Sequence, residues 1–168
     1  LQIEAVRQHP ELDDLVGGKV DIVVSNAGIG TRMGVDASDE AWARIWKVNV
    51  LAHVYAAEAV LPSMLARGRG YLLNTCSAAG LLIQIDSAPY AVTKHAAVAF
   101  AEWVSIKYRE QGVRVSVLAP QAVRTPMTAR PDGAAVASVD GMIEPEALAE
   151  CVVRSMDREE FLILPHPG

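Results

Sequence analysis

The chain has 168 residues, 51% of them apolar and 21% charged, so it is long enough for a single globular domain over residues 1–168. Its net charge of −5 and its scattered basic residues argue against a nucleic-acid or anionic-membrane surface, which needs clustered Lys and Arg. No run reaches the roughly 18 apolar residues of a membrane span, so we expect neither a membrane nor a nucleic acid as partner.

The cysteines and histidines predict a reducing compartment and no metal site. Cys76 lies in an apolar run and Cys151 in a helical pattern, without the spacing of metal ligands or of secreted disulfides. We therefore expect both to be buried, reduced thiols in a cytoplasmic protein. The four histidines also lack ligand spacing, and His95 is expected to reach the surface or a polar neighbour.

The chain opens on a predicted helix over residues 1–16, which ends at two glycines. Since Leu1 is not a methionine and the helical pattern starts partway along, we expect the natural N-terminus to be missing. Residues 20–24 form a β-branched run that predicts a strand buried on both faces. The strand leads into Asn26-Ala27-Gly28, which is either a plain turn or a ligand-binding loop.

A long helix is predicted from about Ser38, which can cap it, to the glycines at 68–70, with a bend at Pro62. Its apolar arc is wider than one sheet face covers, so we expect a further surface, such as another subunit, to cover the rest. Asn49 lies among the apolar positions, where the plainest interpretation is a hydrogen-bonded core amide.

The next predicted strand, residues 71–76, delivers Ser77 at its carboxyl end. Open parallel sheets bind ligands at this edge, so functional side chains are expected there. The apolar residues from Leu81 to Ile85 then predict either the wall of a binding site or a segment folded into the core.

The most informative stretch is the predicted helix 89–111, which bears Tyr90 and Lys94 one turn apart on the same face. An unperturbed phenol has a pKa of about 10, and a neighbouring ammonium favours the phenolate. The pair therefore predicts a proton-transfer tyrosine whose pKa the lysine lowers, with Ser77 as the hydroxyl that holds a substrate oxygen. Taken alone, the pair also fits an ordinary helix surface.

The remaining elements complete an alternating pattern. A strand over 113–119 precedes Pro120, and a loop of small and polar residues covers 128–141. A helix over 145–158 and a strand over 161–164 follow. Strands that alternate with long helices predict an α/β fold with a parallel sheet.

Together, these motifs resemble the short-chain dehydrogenase/reductase family. Asn26-Ala27-Gly28 matches the loop after the fourth strand of the family, and Asn49, Ser77, Tyr90 and Lys94 match its catalytic tetrad in order and spacing. The resemblance covers nearly the whole chain. It implies a Rossmann-like, doubly wound parallel sheet with helices on both faces, lacking the first strands of the family.

The resemblance also implies NAD or NADP as cofactor and a role for each site residue. Tyr90 would be the general base in alcohol oxidation and the general acid in carbonyl reduction. Lys94 would lower the tyrosine pKa and hold the nicotinamide ribose, Ser77 would bind the reacting oxygen, and Asn49 would support the proton path to the lysine. The residues expected to contact the cofactor are Asn26, Ala27, Gly28, Tyr90, Lys94, Pro120, Val123 and Thr125.

The sequence departs from the family pattern in two places. Pro120-Gln121 stands where the family usually has Pro-Gly, so the added side chain is expected to crowd the nicotinamide or to alter the turn. No stretch supplies the glycine-rich turn that receives the pyrophosphate, or the residue that separates NAD from NADP. We therefore expect the catalytic half of a domain, with an apolar sheet edge where the first strand of the family would lie.

Three functions fit these observations. The leading hypothesis is an NAD(P)-dependent oxidoreductase that transfers a hydride between the cofactor and an alcohol or ketone. The alternatives are a non-catalytic binding or assembly module, and a sugar-nucleotide epimerase or dehydratase, for which the loop after Thr125 leaves little room. The family pairs the helices at 38–67 and 89–111 across subunits, which implies a homodimer or homotetramer. The residues that suggest an apolar substrate are Leu81, Leu82, Ile83 and Met127.

Overall fold

The computed structural model describes residues 19–128 and 141–166, and these form one parallel sheet flanked by helices. The four strands are β1 Ile22–Ser25, β2 Gly70–Thr75, β3 Val113–Leu118 and β4 Leu162–Ile163. They lie side by side in chain order, and every neighbouring pair is parallel. The helix expected over 1–16 lies outside the described residues, as does most of the loop expected over 128–141.

The helices follow the predicted positions closely. Ser38 accepts a hydrogen bond from Ala41 N at 3.3 Å, which confirms it as the cap of the first helix. The helical elements are α1 Asp39–Trp46, a π-helical turn Lys47–Leu51, α2 Ala52–Arg67, α3 Ala88–Tyr108 and α4 Pro145–Asp157, with short 3₁₀ turns at Ala78–Gly80 and Arg109–Gln111.

Helices cover both faces of the sheet, as the sequence predicts. On one face, α2 and α3 pack against β2 and β3 to form the larger core. The buried residues at its centre are Ala57, Val60, Met64, Leu72, Cys76, Ala97, Ala101, Val104, Val113, Val115, Val117 and Ala119. On the other face, α4 packs against a smaller cluster of Leu73, Leu118 and Ile163. The expected Rossmann-like α/β sheet is therefore confirmed for the part of the chain that the structure describes.

The expectation that the first strand is buried on both faces is wrong. The side chains of Ile22 and Val24 are 55% and 54% exposed, whereas Val23 packs against the larger core. The reason is that α4 packs only on β2, β3 and β4 and does not extend over β1. The strand at this edge is therefore covered on one face.

The segment from Leu81 to Ile85 does not fold into the core. Its apolar side chains are 40% to 85% exposed, beside the carboxyl edge of the sheet. Of the two possibilities that the sequence left open, the structure excludes the buried one. Both cysteines are free thiols, but only Cys76 is buried; Cys151 is partly exposed, contrary to expectation.

The helical stretch Asp39–Arg67 is long and apolar enough to cross a membrane by length and composition, although it contains no uninterrupted run of 18 apolar residues. A third of its most apolar window is buried against the rest of the chain. A core helix of a soluble protein has the same composition, so this single helix is weak evidence for a membrane.

The backbone at the end of α2 closely contacts the backbone after α3, at the amino ends of β2 and β3. Gly112 ends the turn after α3 with φ +87°, and a Cβ built there would lie 1.8 Å from the carbonyl oxygen of Gly68. Both the conformation and the contact require glycine. This approach fixes where β3 begins, because Gly112 O in turn accepts from Gly70 N, the first residue of β2.

Candidate active site

The predicted site residues meet at the carboxyl edge of the sheet. Asn26-Ala27-Gly28 follows β1, Ser77 follows β2 and Pro120 follows β3, while α3 carries Tyr90 and Lys94 to the same edge. In the loop, Gly28 lies against the site, since a Cβ built there would be 3.4 Å from Lys94 Nζ and 3.7 Å from Asn49 Oδ1. Asn26 and Ala27 are exposed.

Asn49 is fully buried and ties the loop after β1 to α3. Its Oδ1 accepts from Ile29 N at 2.9 Å, and its Nδ2 donates to Ile29 O at 2.9 Å. The same Nδ2 also donates to Thr93 Oγ1 at 3.2 Å. The plain interpretation of a satisfied core amide is therefore correct, and the amide also holds together the two segments that frame the site.

Asn49 lies in the π-helical turn, which the sequence reasoning missed. The structure shows why the turn is there: the buried positions Ile45, Asn49, His53 and Ala57 recur at three successive intervals of four residues, a spacing that two polar residues obscure in the sequence. An α-helix has 3.6 residues per turn, so such a run drifts off one face unless an extra residue is absorbed. The π-helical turn absorbs it, and such turns often occur at functional sites.

Lys94 is 4% exposed, and its Nζ donates to the carbonyl of Thr75 at 3.2 Å. That carbonyl is available because of the strand register. Tyr71 N donates to Asp21 O, just before β1, whereas Cys76 N donates to Leu118 O at the end of β3. The backbone N–H and C=O groups of the odd-numbered residues of β2 therefore point toward β1. Since β1 ends at Ser25, paired with Asn74, the Thr75 carbonyl has no strand opposite it.

Ser77 lies close enough to Tyr90 for hydrogen bonding from its side chain to lower the pKa of the Tyr90 hydroxyl. Ser77 Oγ also accepts from Ala79 N at 3.1 Å. Tyr90 itself is placed by the start of α3, where Ser87 Oγ accepts from Tyr90 N at 3.3 Å. The serine, tyrosine and lysine thus lie around one point at the end of β2.

The expected lowering of the tyrosine pKa is wrong for this structure. Burial raises the pKa of Tyr90, and the Ser77 hydrogen bond offsets this only in part. Lys94 Nζ lies 5.7 Å from the centroid of the Tyr90 ring and donates to Thr75, not to the phenol. Burial also lowers the pKa of Lys94. At neutral pH, Tyr90 is therefore protonated.

The turn after β3 is held against the Ser77 segment, because Pro120 O accepts from Ala78 N at 2.9 Å. Val123 is buried and forms a bridge to Ile143, and Thr125 N donates to Thr128 Oγ1 at 3.0 Å. Gln121 does not have a positive φ, so the backbone at this position does not need glycine. That its side chain crowds the nicotinamide or alters the turn stays a prediction.

A further polar pair is buried beside the site, and sequence reasoning did not identify it. His53 Nδ1 lies 2.8 Å from Asn74 Oδ1, so Nδ1 carries the proton. Among the described residues, His53 Nε2 has no hydrogen-bond partner. Burial lowers the pKa of His53, the Asn74 hydrogen bond raises it, and the charge of Lys94 lowers it further.

His53 should make the protein sensitive to acid. Its folded-state pKa lies below the ordinary 6.5, so below that pH the unfolded chain binds more protons than the folded one. Stability is then complete above 6.5 and falls with decreasing pH, by up to about 1.4 kcal/mol per pH unit for one proton. Urea titrations across this range should show a shallower decline for His53→Gln. His95→Gln, where the ring hydrogen-bonds Ala91 O of its own helix, should leave the decline unchanged. An unchanged slope in His53→Gln would contradict the assignment.

Within residues 19–128 and 141–166, no group of three His, Cys, Asp or Glu side chains is arranged to hold a metal ion. His95 Nδ1 lies 2.9 Å from Ala91 O, which confirms that it finds a polar neighbour.

The fold and the site together define a Rossmann-like α/β protein with Ser, Tyr and Lys side chains gathered at the carboxyl edge of the sheet. Comparison with known proteins identifies the family: residues 4–134 match the family model for short chain dehydrogenase. The chain belongs to the short-chain dehydrogenase family.

Individual dehydrogenases are also similar to this chain in sequence or structure. The chain is 34% identical over 150 residues to 1-deoxy-11-beta-hydroxypentalenate dehydrogenase of Streptomyces exfoliatus, covering 87% of this chain and 54% of that protein. It is 31% identical to human epidermal retinol dehydrogenase 2, covering 88% and 49%. Among solved structures, a gluconate 5-dehydrogenase from Burkholderia cenocepacia, in complex with NADP and tartrate, is 25% identical with a TM-score of 0.83, covering 97% and 69%. The chain spans about half the length of these curated relatives.

Proposed function

We propose that the intact protein is a nicotinamide-dependent oxidoreductase that interconverts an alcohol and its carbonyl compound. The observation that carries the proposal is the buried Lys94, whose Nζ lies 5.7 Å from the centroid of the Tyr90 ring, with Ser77 close enough to influence the pKa of Tyr90. A structural role alone does not require a buried ammonium, which is costly to desolvate. An ammonium next to a phenol and a hydroxyl is, however, what proton transfer to a substrate oxygen needs.

In this reaction, Tyr90 exchanges a proton with the substrate oxygen. Because burial raises its pKa, Tyr90 holds its proton at neutral pH and is prepared to donate it to the carbonyl oxygen in the direction of reduction. Ser77 donates or accepts a second hydrogen bond at the same oxygen and fixes its position. Asn49 has the supporting role of holding the loop after β1 against α3.

The residues present fit a dinucleotide. Lys94 has three N–H donors and gives one to Thr75, so two remain for hydroxyl groups such as those of a ribose. The absence of a side chain at Gly28 leaves the ammonium approachable from the loop side. Together with Lys94 and Tyr90, we propose as its contacts Asn26, Ala27, Gly28, Pro120, Val123 and Thr125. When bound, NAD or NADP supplies or accepts the hydride.

The substrate is proposed to be apolar around its reacting group. Leu82, Ile83 and Ile85 are exposed next to the site, where they can cover such a molecule, and Met127 is exposed after β3. Names of relatives span retinol, an apolar alcohol, and gluconate, a polar one, so this proposal rests on the residues of the loop itself.

We further propose a homodimer or homotetramer in the cytoplasm. α3 carries exposed Trp103 and Ile106, and α1 carries the partly exposed Trp46, which are the apolar side chains a second copy would cover. The two free thiols favour a reducing compartment.

The test is a titration and turnover assay on the intact protein. Fluorescence titration with NADH and NADPH should show saturable binding of one or both. A long-chain secondary alcohol should then be oxidised with a higher kcat/KM than a sugar alcohol. Failure to bind either dinucleotide would contradict the proposal and favour the alternative, a non-catalytic binding or assembly module.

A further inference from the structure

His166 contacts the turn after β3 through both of its ring nitrogens. Gln121 N donates to His166 Nδ1 at 3.2 Å, and His166 Nε2 donates to the carbonyl of Ala122 at 3.0 Å. The side chain is buried, with 8% of its surface exposed. Since Nδ1 accepts and Nε2 donates, the ring carries its proton on Nε2. It links the N–H of Gln121 to the carbonyl of Ala122, on either side of the peptide bond between these two residues.

The position of His166 is set by the sheet. β4 pairs with the end of β3, where Ala119 N donates to Ile163 O at 3.0 Å. His166 follows Ile163 by three residues, which places it within hydrogen-bonding distance of the turn after β3. The imidazole thus links the end of β4 to the turn after β3, a segment that belongs to no strand or helix.

The same turn is also hydrogen-bonded to the Ser77 segment. Pro120 O accepts from Ala78 N at 2.9 Å, next to the serine that lies close to Tyr90. The carbonyl of Ala122 accepts a second bond from Ile143 N at 3.2 Å. The turn is therefore hydrogen-bonded both to the Ser77 segment and to His166.

We propose that His166 is a positioning residue that fixes the Pro120–Val123 turn for the nicotinamide end of the dinucleotide. This inference rests on the proposed function, which assigns the turn to the cofactor. Because Gln121 has no positive φ, a glycine is not required there, and the donor to His166 is the backbone N–H, which any residue except proline supplies.

Four variants of the intact protein test this role. His166→Phe keeps a flat ring but removes both hydrogen bonds. His166→Asn presents an acceptor near the position of Nδ1, and His166→Gln presents a donor near that of Nε2. The control is Ile163→Val, which removes a methyl group from the buried end of the same strand without touching the turn.

The first readout is hydrogen exchange, which does not depend on cofactor. The amide of Gln121 should exchange faster in His166→Phe than in the wild type, remain close to wild type in His166→Asn, and be unaffected in Ile163→Val. Equal protection of Gln121 in His166→Phe and the wild type would overturn the proposal.

The second readout is steady-state kinetics. His166→Phe should raise the KM for the dinucleotide about tenfold, in line with the loss of positioning hydrogen bonds, and change kcat and the KM for the alcohol much less. His166→Asn and His166→Gln should each recover part of the loss. A dinucleotide KM that rises equally in Ile163→Val would overturn the proposal, since a general loss of stability would explain it. If the wild type binds no dinucleotide, the proposed function fails, and this assignment fails with it.

Discussion

Tyr90→Phe should lower kcat by about 10²–10⁴-fold, because the variant keeps the ring but loses the proton that the reaction needs. The aromatic ring fills the same space in α3, and the removed hydroxyl is the group that the Ser77 side chain stabilises as a phenolate. Binding of the dinucleotide should therefore change little. Steady-state turnover measures the loss of kcat, and fluorescence titration of the same preparation measures binding of the dinucleotide.

The matched control is Tyr108→Phe, at the other end of the same helix, where the ring stacks edge-on against Trp103 far from the site. It should retain wild-type turnover. Wild-type turnover in Tyr90→Phe would show that another group moves the proton. A parallel loss in Tyr108→Phe would mean that turnover reports the stability of α3 instead of the chemistry.

Lys94→Met should abolish most activity without a matching loss of stability. Removing a donor that acts directly at a reaction site typically costs about 10²–10³-fold in kcat. Methionine has a similar length and no charge, so it removes the cost of burying the ammonium, although it leaves the Thr75 carbonyl without its partner. The free energy of unfolding at neutral pH should thus stay close to that of the wild type.

The alkaline range provides a sharper test of the same residue. Burial lowers the pKa of Lys94 below the ordinary 10.5, so just below that pH the unfolded chain binds more protons than the folded one. The free energy of unfolding of the wild type should therefore include a contribution from Lys94 that rises with pH, by at most about 1.4 kcal/mol per pH unit. Lys94→Met should lack this contribution. Lys107→Met, at an exposed position in the last turn of α3, should keep the contribution. Identical slopes in Lys94→Met and the wild type would contradict the burial of a charged lysine.

The order of the elements and the residues of the site could be predicted because both follow from local patterns. The β-branched runs, the cap at Ser38 and the glycine at 112 mark elements within one or two residues of their observed ends. The four-residue step from Tyr90 to Lys94 places both side chains on one face of any helix. Such features do not depend on what packs against the helix.

What the sequence could not predict depends on contacts between distant segments. The coverage of β1 is decided by how far α4 reaches across the sheet, and the pKa of Tyr90 by how deeply it is buried. The contact between His166 and Gln121 joins positions 45 residues apart through the pairing of β3 and β4. No periodicity within a single element reports these relationships.

The π-helical turn at Lys47–Leu51 constrains how this helix can change in evolution. Because the turn already absorbs one extra residue, deleting one residue within it would let α1 and α2 join as a regular α-helix with the buried row still on about the same face. Deleting or inserting one residue elsewhere in the helix would instead rotate one side by about 100° relative to the other. Asn49 would then leave Ile29 and Thr93, or the buried row beginning at His53 would turn away from the sheet. Changes in length should therefore be tolerated better at this turn than elsewhere in the helix.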